Sequence, residues 1–90
     1  MRTITKTVVG VFNQKLAKSS GNTRSNGTEL FLHGNKIADW RADGLWITDA
    51  GWNSVTTKDR LNGIPGVNIY QSNYKWFLNG QEWDGNWIKV

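Results

Sequence analysis

The 90 residues contain no cysteine, only one proline, one histidine and one methionine, and no long apolar run. Each shortage removes a class of explanation. Without cysteine there is no disulfide staple, no thiolate zinc site and no cysteine nucleophile, a composition compatible with a reducing compartment. A lone histidine, His33, supplies neither a paired metal site nor a Ser-His-Asp triad, since the strand register places no acid beside it. The apolar stretch at residues 8–12 is short, is broken by Gly10 and leads into a polar run without a cleavage-like site. A secretory signal and a bilayer span are therefore not expected, and the default is a soluble protein of the cytoplasm.

Acid is also missing locally. Up to Thr28 the chain carries Arg2, Lys6, Lys15, Lys18 and Arg24 with no Asp or Glu, whereas the remainder sets six bases against seven acids. The net +4 is thus a +5 leader on a −1 body. Such a leader suits attraction to phosphate through counterion release, although scattered cations also serve solubility alone.

What the chain has in abundance is tryptophan, six in all. A chain of this length amounts to one modest domain, residues 1–90, which must concentrate apolar area in large side chains. The expected class is α+β and mostly β, an antiparallel meander of hairpins with one short helix. Residues 3–12 are rich in Thr, Ile, Val and Phe and predict an N-terminal strand ending at residue 12. Residues 13–28, dominated by Ser, Asn, Gly, Thr and Lys, predict a mobile basic loop. Hairpins and the helix fill residues 29–90.

Gly34-Asn35 suits a two-residue hairpin turn, which sets Leu32 opposite Ile37 and Phe31 opposite Ala38. A turn at Ala42-Asp43-Gly44 then sets Trp40 opposite Trp46 and Asp39 opposite Ile47. The resulting sheet is partly apolar on both sides, with Leu30, Leu32, Ile37, Leu45 and Ile47 on one and Phe31, His33, Trp40 and Trp46 on the other. The aromatic side is either covered by a second layer or open as a platform. The only expected helix covers residues 56–63, with Thr56 as N-cap, an early acid in Asp59, and Asn62-Gly63 before Pro65 as the stop. Val55, Leu61 and Ile64 should dock it on the sheet. A further hairpin turns at Ser72-Asn73, Asn79-Gly80 sets Trp76 opposite Trp83, and a last strand follows Asp84-Gly85.

The run Leu32-His33-Gly34-Asn35-Lys36-Ile37-Ala38 is followed by Ile47-Thr48-Asp49-Ala50-Gly51-Trp52 and by Val55-Thr56-Thr57-Lys58-Asp59-Arg60-Leu61-Asn62. Together with Gly66-Val67-Asn68-Ile69-Tyr70-Gln71 and Trp76-Phe77-Leu78, these resemble a set of small phage and bacterial proteins of unassigned function. The specific part is Gly51-Trp52 followed by Val55-Thr56-Thr57-Lys58 and Arg60-Leu61-Asn62, and the resemblance covers about residues 20–80. It implies a phage or mobile-element source and a β-rich fold with one short helix, with no catalytic residue and no named ligand. The basic leader before Asn22 and the tryptophans Trp83 and Trp87 depart from the pattern.

Asp43, Asp84 and Asp59 are accounted for by turns and the helix start, and Asp39, Asp49 and Glu82 form no acid/base pair with a nucleophile. No glycine-rich phosphate loop is present. The expectation is a non-enzymatic accessory protein without metal or cofactor, acting in the host cytoplasm. It would bind nucleic acid through Lys15, Lys18, Arg24, Lys58 and Arg60 and through an aromatic face of Phe31, Trp40 and Trp46. The alternative for the tryptophans is cross-strand packing, and for the helix cations a solvated face. Two other partner classes remain open: a host protein that the chain antagonises, for instance a defence protein, and further copies of the chain itself.

Overall fold

The computed structural model describes residues 2–90, as two antiparallel sheets and two short helical segments. The N-terminal segment is helical. A π-helical turn at Thr5–Val9 runs into helix α1, Gly10–Asn13, where a strand was predicted. The β-branched composition pointed to a strand, but the buried positions Thr5, Val8, Val9 and Phe12 follow i, i+3, i+4, i+7 spacing. Burial of that stripe against the sheet outweighs the modest helix propensities of Thr and Val.

The predicted mobile loop is also ordered. Strands β1 (Ala17–Ser20) and β2 (Thr23–Asn26) form a hairpin, with Gly21 at φ 55 turning the corner. It extends the sheet through β3 (Glu29–Leu32), β4 (Asn35–Arg41) and β5 (Gly44–Ile47) to β9 (Ile88–Lys89), giving the order β1-β2-β3-β4-β5-β9. A three-stranded sheet holds β6 (Ile69–Ser72), β7 (Lys75–Leu78) and β8 (Gln81–Glu82). The fold is mostly β and built of hairpins, as predicted, with a second helical segment that was not.

Three turns and one bulge depart from the expected register. The first hairpin turns at His33-Gly34, both at positive φ (51° and 80°), so Leu32 pairs with Asn35 and Phe31 with Lys36. A bulge then gives β4 one extra residue, and Leu30 pairs with Ala38. Ile37 and Ala38 consequently both face inward and are buried. The next turn is one residue shorter than predicted. Arg41 pairs with Gly44, Trp40 with Leu45 and Asp39 with Trp46, so Trp40 and Trp46 lie on opposite faces. The third hairpin turns one residue late, at Asn73-Tyr74, where both residues have positive φ.

The predicted inner set is nevertheless the core: Leu30, Leu32, Ile37, Leu45 and Ile47 are all buried, with Val8, Val9, Phe12 and Leu61 over them. Helix α2, Val55–Asn62, starts one residue before the predicted span and is capped by Ser54, whose hydroxyl accepts from Thr57 N at 3.1 Å; Thr56 is not the cap. Leu61 and Ile64 dock as expected, whereas Val55 is exposed. Gly63 lets the N-terminal helical segment approach, since a Cβ there would stand 2.6 Å from Thr5 Cγ2. Asn79-Gly80 turns β7 into β8, and Trp76 faces Trp83 with ring centroids 6.3 Å apart.

Arg60 joins these pieces. Its side chain is buried and donates from Nε to Thr23 Oγ1 at 2.8 Å, from Nη1 to Thr5 Oγ1 at 2.8 Å and from Nη2 to Asn22 Oδ1 at 3.3 Å. Asp59 supplies the counter-charge, 3.2 Å from Nη1, and accepts a hydrogen bond from Thr5 Oγ1. Burial works to raise the Asp59 carboxyl. The hydrogen bonds from Thr5 and the Arg2 backbone and the charge of Arg60 outweigh it and hold the group below its ordinary 3.8. Burial likewise pulls Arg60 downward, but a guanidinium remains charged at any pH compatible with folding.

Because the folded carboxyl titrates lower than the unfolded one, Asp59 stabilises the fold above the unfolded pKa and loses that contribution as pH falls through the folded value. Acid unfolding should therefore steepen below pH 3.8, and Asp59→Asn should flatten that limb in circular-dichroism titrations. Arg60→Met should cost about 3 kcal/mol in urea melts, as for removing one member of a buried pair. At Gly85, φ 87, a Cβ would stand 2.0 Å from Asp49 Oδ2. Gly85→Ala should lower stability by about 2–3 kcal/mol. Gly80→Ala, at φ 89 with open space around it, should lose only the backbone strain of about 1–2 kcal/mol.

Candidate nucleic-acid interface

Strand alternation carries one set of side chains to the outer face of the six-stranded sheet, away from the helices. On β2 the inward residues Thr23 and Ser25 are buried and Arg24 points out. Arg24 pairs across the sheet with Phe31, which pairs with Lys36. Further along, Asp39 pairs with Trp46 and Trp46 with Lys89. One row of the outer face thus reads cation, ring, cation and the other acid, ring, cation.

Their geometry is specific. The Arg24 guanidinium carbon lies 4.4 Å from the Phe31 ring centroid, and that of Arg41 lies 4.7 Å from the centroids of both Trp46 and Trp87. Contacts of this kind orient a planar cation and contribute roughly 0.5–1 kcal/mol each at exposed sites. Trp46 is fixed in turn by donating its Nε1–H to Asp43 at 2.8 Å, a bond that holds the Asp43 carboxyl below its usual range. Lys36 contacts Glu29 at 2.7 Å, and their hydrogen bond lowers the Glu29 carboxyl and raises Lys36. Asp39 takes Arg41 at 3.2 Å. Among the described residues, Arg24 and Lys89 form no ion pair, which leaves two cations of this face without a protein anion.

The eight residues predicted from the sequence separate into groups. Arg24, Phe31 and Trp46 share the outer face. Trp40 does not: it points to the inner side, 6.0 Å from Phe12, and donates Nε1–H to Phe12 O at 3.2 Å. The expected Trp40/Trp46 platform is therefore absent, because the bulge in β4 reverses the parity of Trp40 while the shorter turn after it keeps Trp46 on the outer face. Lys15 sits over Trp40 at 4.8 Å, away from Arg24. Lys18 is opposite the inward-facing Ser25 on the exposed edge strand. Lys58 lies 5.8 Å from the Trp76 ring centroid on the other sheet. Arg60 is 2 % exposed and bonded to Thr5, Asn22, Thr23 and Asp59, so it is removed from any contact with phosphate.

Arg41, Trp87 and Lys89 belong to the outer face and were not among the site residues expected from the sequence. With the two-residue turn in place, alternation back from Trp46 through Asp39 would have found Arg41. Trp87 and Lys89 depend on β9 pairing with β5 across a long separation, for which no local signal exists.

Among the described residues no three His, Asp or Glu side chains gather closely enough to hold a metal ion. None of the described helices is long and apolar enough to cross a membrane. No curated protein and no solved structure matches the chain. The family model described as Kyanoviridae Gp96 protein matches residues 1–89, a span that takes in both the basic leader and the C-terminal tryptophans. With nearly its whole length matched, the chain belongs to the Kyanoviridae Gp96 protein family, a phage protein family.

Proposed function

We propose that this phage protein binds single-stranded nucleic acid on the outer face of its six-stranded sheet. The observation that carries the reading is the pairing of planar cations with rings there, Arg24 on Phe31 and Arg41 against Trp46 and Trp87. Unstacked bases pack on ring and guanidinium planes, while phosphates take charge-assisted hydrogen bonds from guanidinium edges. Arg24 has one guanidinium face against Phe31 and the rest in solvent, a geometry suited to a base. Arg41, against two rings and bonded through Nε to Asp39, is held rigidly and offers its Nη groups to phosphate. Lys89, beside Trp46, adds an unpaired charge.

A second reading, antagonism of a host protein, draws on Tyr74. This residue is 97 % exposed at a hairpin tip and holds φ 65, a conformation that is costly for a residue with a bulky side chain. An aromatic displayed this way is the type of side chain that anchors protein interfaces.

Fluorescence anisotropy of a labelled oligonucleotide of about a dozen nucleotides separates the two. With Arg24, Arg41 and Lys89 each neutralising one phosphate, log affinity against log salt should have a slope of about −2. Arg24→Ala and Trp46→Ala should each weaken binding by about 1–3 kcal/mol, and Lys58→Ala should not. Salt-independent binding, or equal losses from Lys58→Ala and Arg24→Ala, rejects the interface. Loss of a protein partner through Tyr74→Ala, with oligonucleotide binding absent, supports the second reading.

A further inference from the structure

Past its last strand pair, the β2–β3 ladder continues into two turn residues: the backbone N–H of His33 donates to Asn22 O at 2.8 Å. Their side chains meet as well, with Asn22 Nδ2 lying 3.4 Å from His33 Nε2. The amide cannot turn round, because its Oδ1 accepts from Thr23 Oγ1 at 2.7 Å and from Arg60 Nη2 at 3.3 Å. Its amino end therefore faces the imidazole. A donor there makes Nε2 the acceptor, so the contact holds His33 neutral with its proton on Nδ1.

Protonation reverses that contact. An imidazolium puts a second N–H against the Asn22 amino group, and neither side accepts. His33 is exposed, so the ring has room to turn. The charged groups about it are unequal. On one side it borders a groove with Asp49, which is 8 % exposed and accepts from Gly51 N at 2.8 Å, and with Thr56, which takes the Arg2 guanidinium at 2.7 Å. Behind Asn22 stands Arg60, balanced by Asp59. On the remaining side lies Arg24.

Between Arg24 and His33 the outer face is hollowed into a depression of about 230 Å3. Ser19, Asn22, Thr23 and Arg24 bring polar groups to it, Phe31 forms its apolar border, and no acid is among its lining residues. Arg24 lies over Phe31 at 4.4 Å and forms no ion pair among the described residues. A guanidinium edge, a hydroxyl and a chargeable imidazole around a hollow without carboxylates suit an anion with several oxygens.

We infer that this depression seats one phosphate of the single strand, held by Arg24 and, once protonated, by His33, so that binding tightens as pH falls. The inference rests on the proposed interface and adds to it a contact controlled by a proton.

The probe is an oligothymidylate of about a dozen nucleotides without a terminal phosphate, carrying a dye insensitive to pH, since thymine does not titrate in the range used. Histidine side chains charge between about pH 8 and pH 5. Over that range the slope of log affinity against log salt should steepen by about 0.7, the increment for one phosphate on a single strand, and affinity at about 0.1 M salt should rise about fivefold. His33→Asn gives the turn its favoured Asn-Gly pair, so the fold should stand and affinity should no longer respond to pH. His33→Lys should keep the steeper slope throughout. Sulfate, which does not titrate here, tests the seat apart from the interface. At low pH it should shift the Arg24 and His33 side-chain NMR signals saturably, and those of Arg24 should respond less in His33→Asn. Oligonucleotide binding with the same pH response in the wild type and His33→Asn overturns the seat and leaves the interface standing. Sulfate binding without oligonucleotide binding does the reverse. An Asn22 amide signal that stays fixed while the His33 ring titrates overturns the lock between them.

Discussion

One guanidinium holds the architecture together. Arg60 reaches from α2 to the first helical turn through Thr5, to the β1–β2 corner through Asn22 and to β2 through Thr23, with Asp59 balancing its charge. These segments lie far apart in sequence, and the β1–β2 hairpin brings no buried apolar side chain to the junction. A hairpin whose inward residues are Thr23 and Ser25 has almost no hydrophobic reason to join a sheet. It joins because its inward hydroxyls meet a buried cation and, through Ser25, the carbonyl of Leu16. Charge, hydroxyl and amide satisfy one another there in place of aliphatic packing.

That arrangement explains what could be read from the chain beforehand. From residue 29 onward, apolar runs and turn residues gave the hairpins, the short helix, the core face of Leu30, Leu32, Ile37, Leu45 and Ile47, and the Trp76/Trp83 pair. The N-terminal third was not legible by composition. Residues 13–28 have the polarity of a loop because their inner surface is polar by design of the Arg60 site, and polarity alone does not distinguish a solvated loop from a strand facing a guanidinium. The N-terminal segment was legible by period: Thr5, Val8, Val9 and Phe12 trace a helical stripe that β-branched composition masked.

The candidate interface shows the same division. Arg24, Phe31 and Trp46 followed from charge and aromatic content, and Phe31 and Trp46 keep their expected common face because the extra residue in β4 and the shorter turn after it cancel. Lys58 and Arg60 looked equivalent on a short helix. Three-dimensional context parts them: one remains partly accessible near Trp76, the other becomes the interior keystone. Trp87 and Lys89 enter only through a strand pairing across the length of the domain. Long-range partners of that kind leave no trace in local pattern.

The extra residue in β4 has a consequence beyond this one chain. By letting Ile37 and Ala38 both turn inward, it exchanges the sides taken by everything that follows up to the next turn, sending Trp40 to the interior and Arg41 outward. Side-chain parity at this hairpin is thus set by counting, not by chemistry. Family members with the same aromatic content but one residue more or fewer between Phe31 and Trp46 would display different surfaces, and tryptophans aligned in sequence would cease to be equivalent in space.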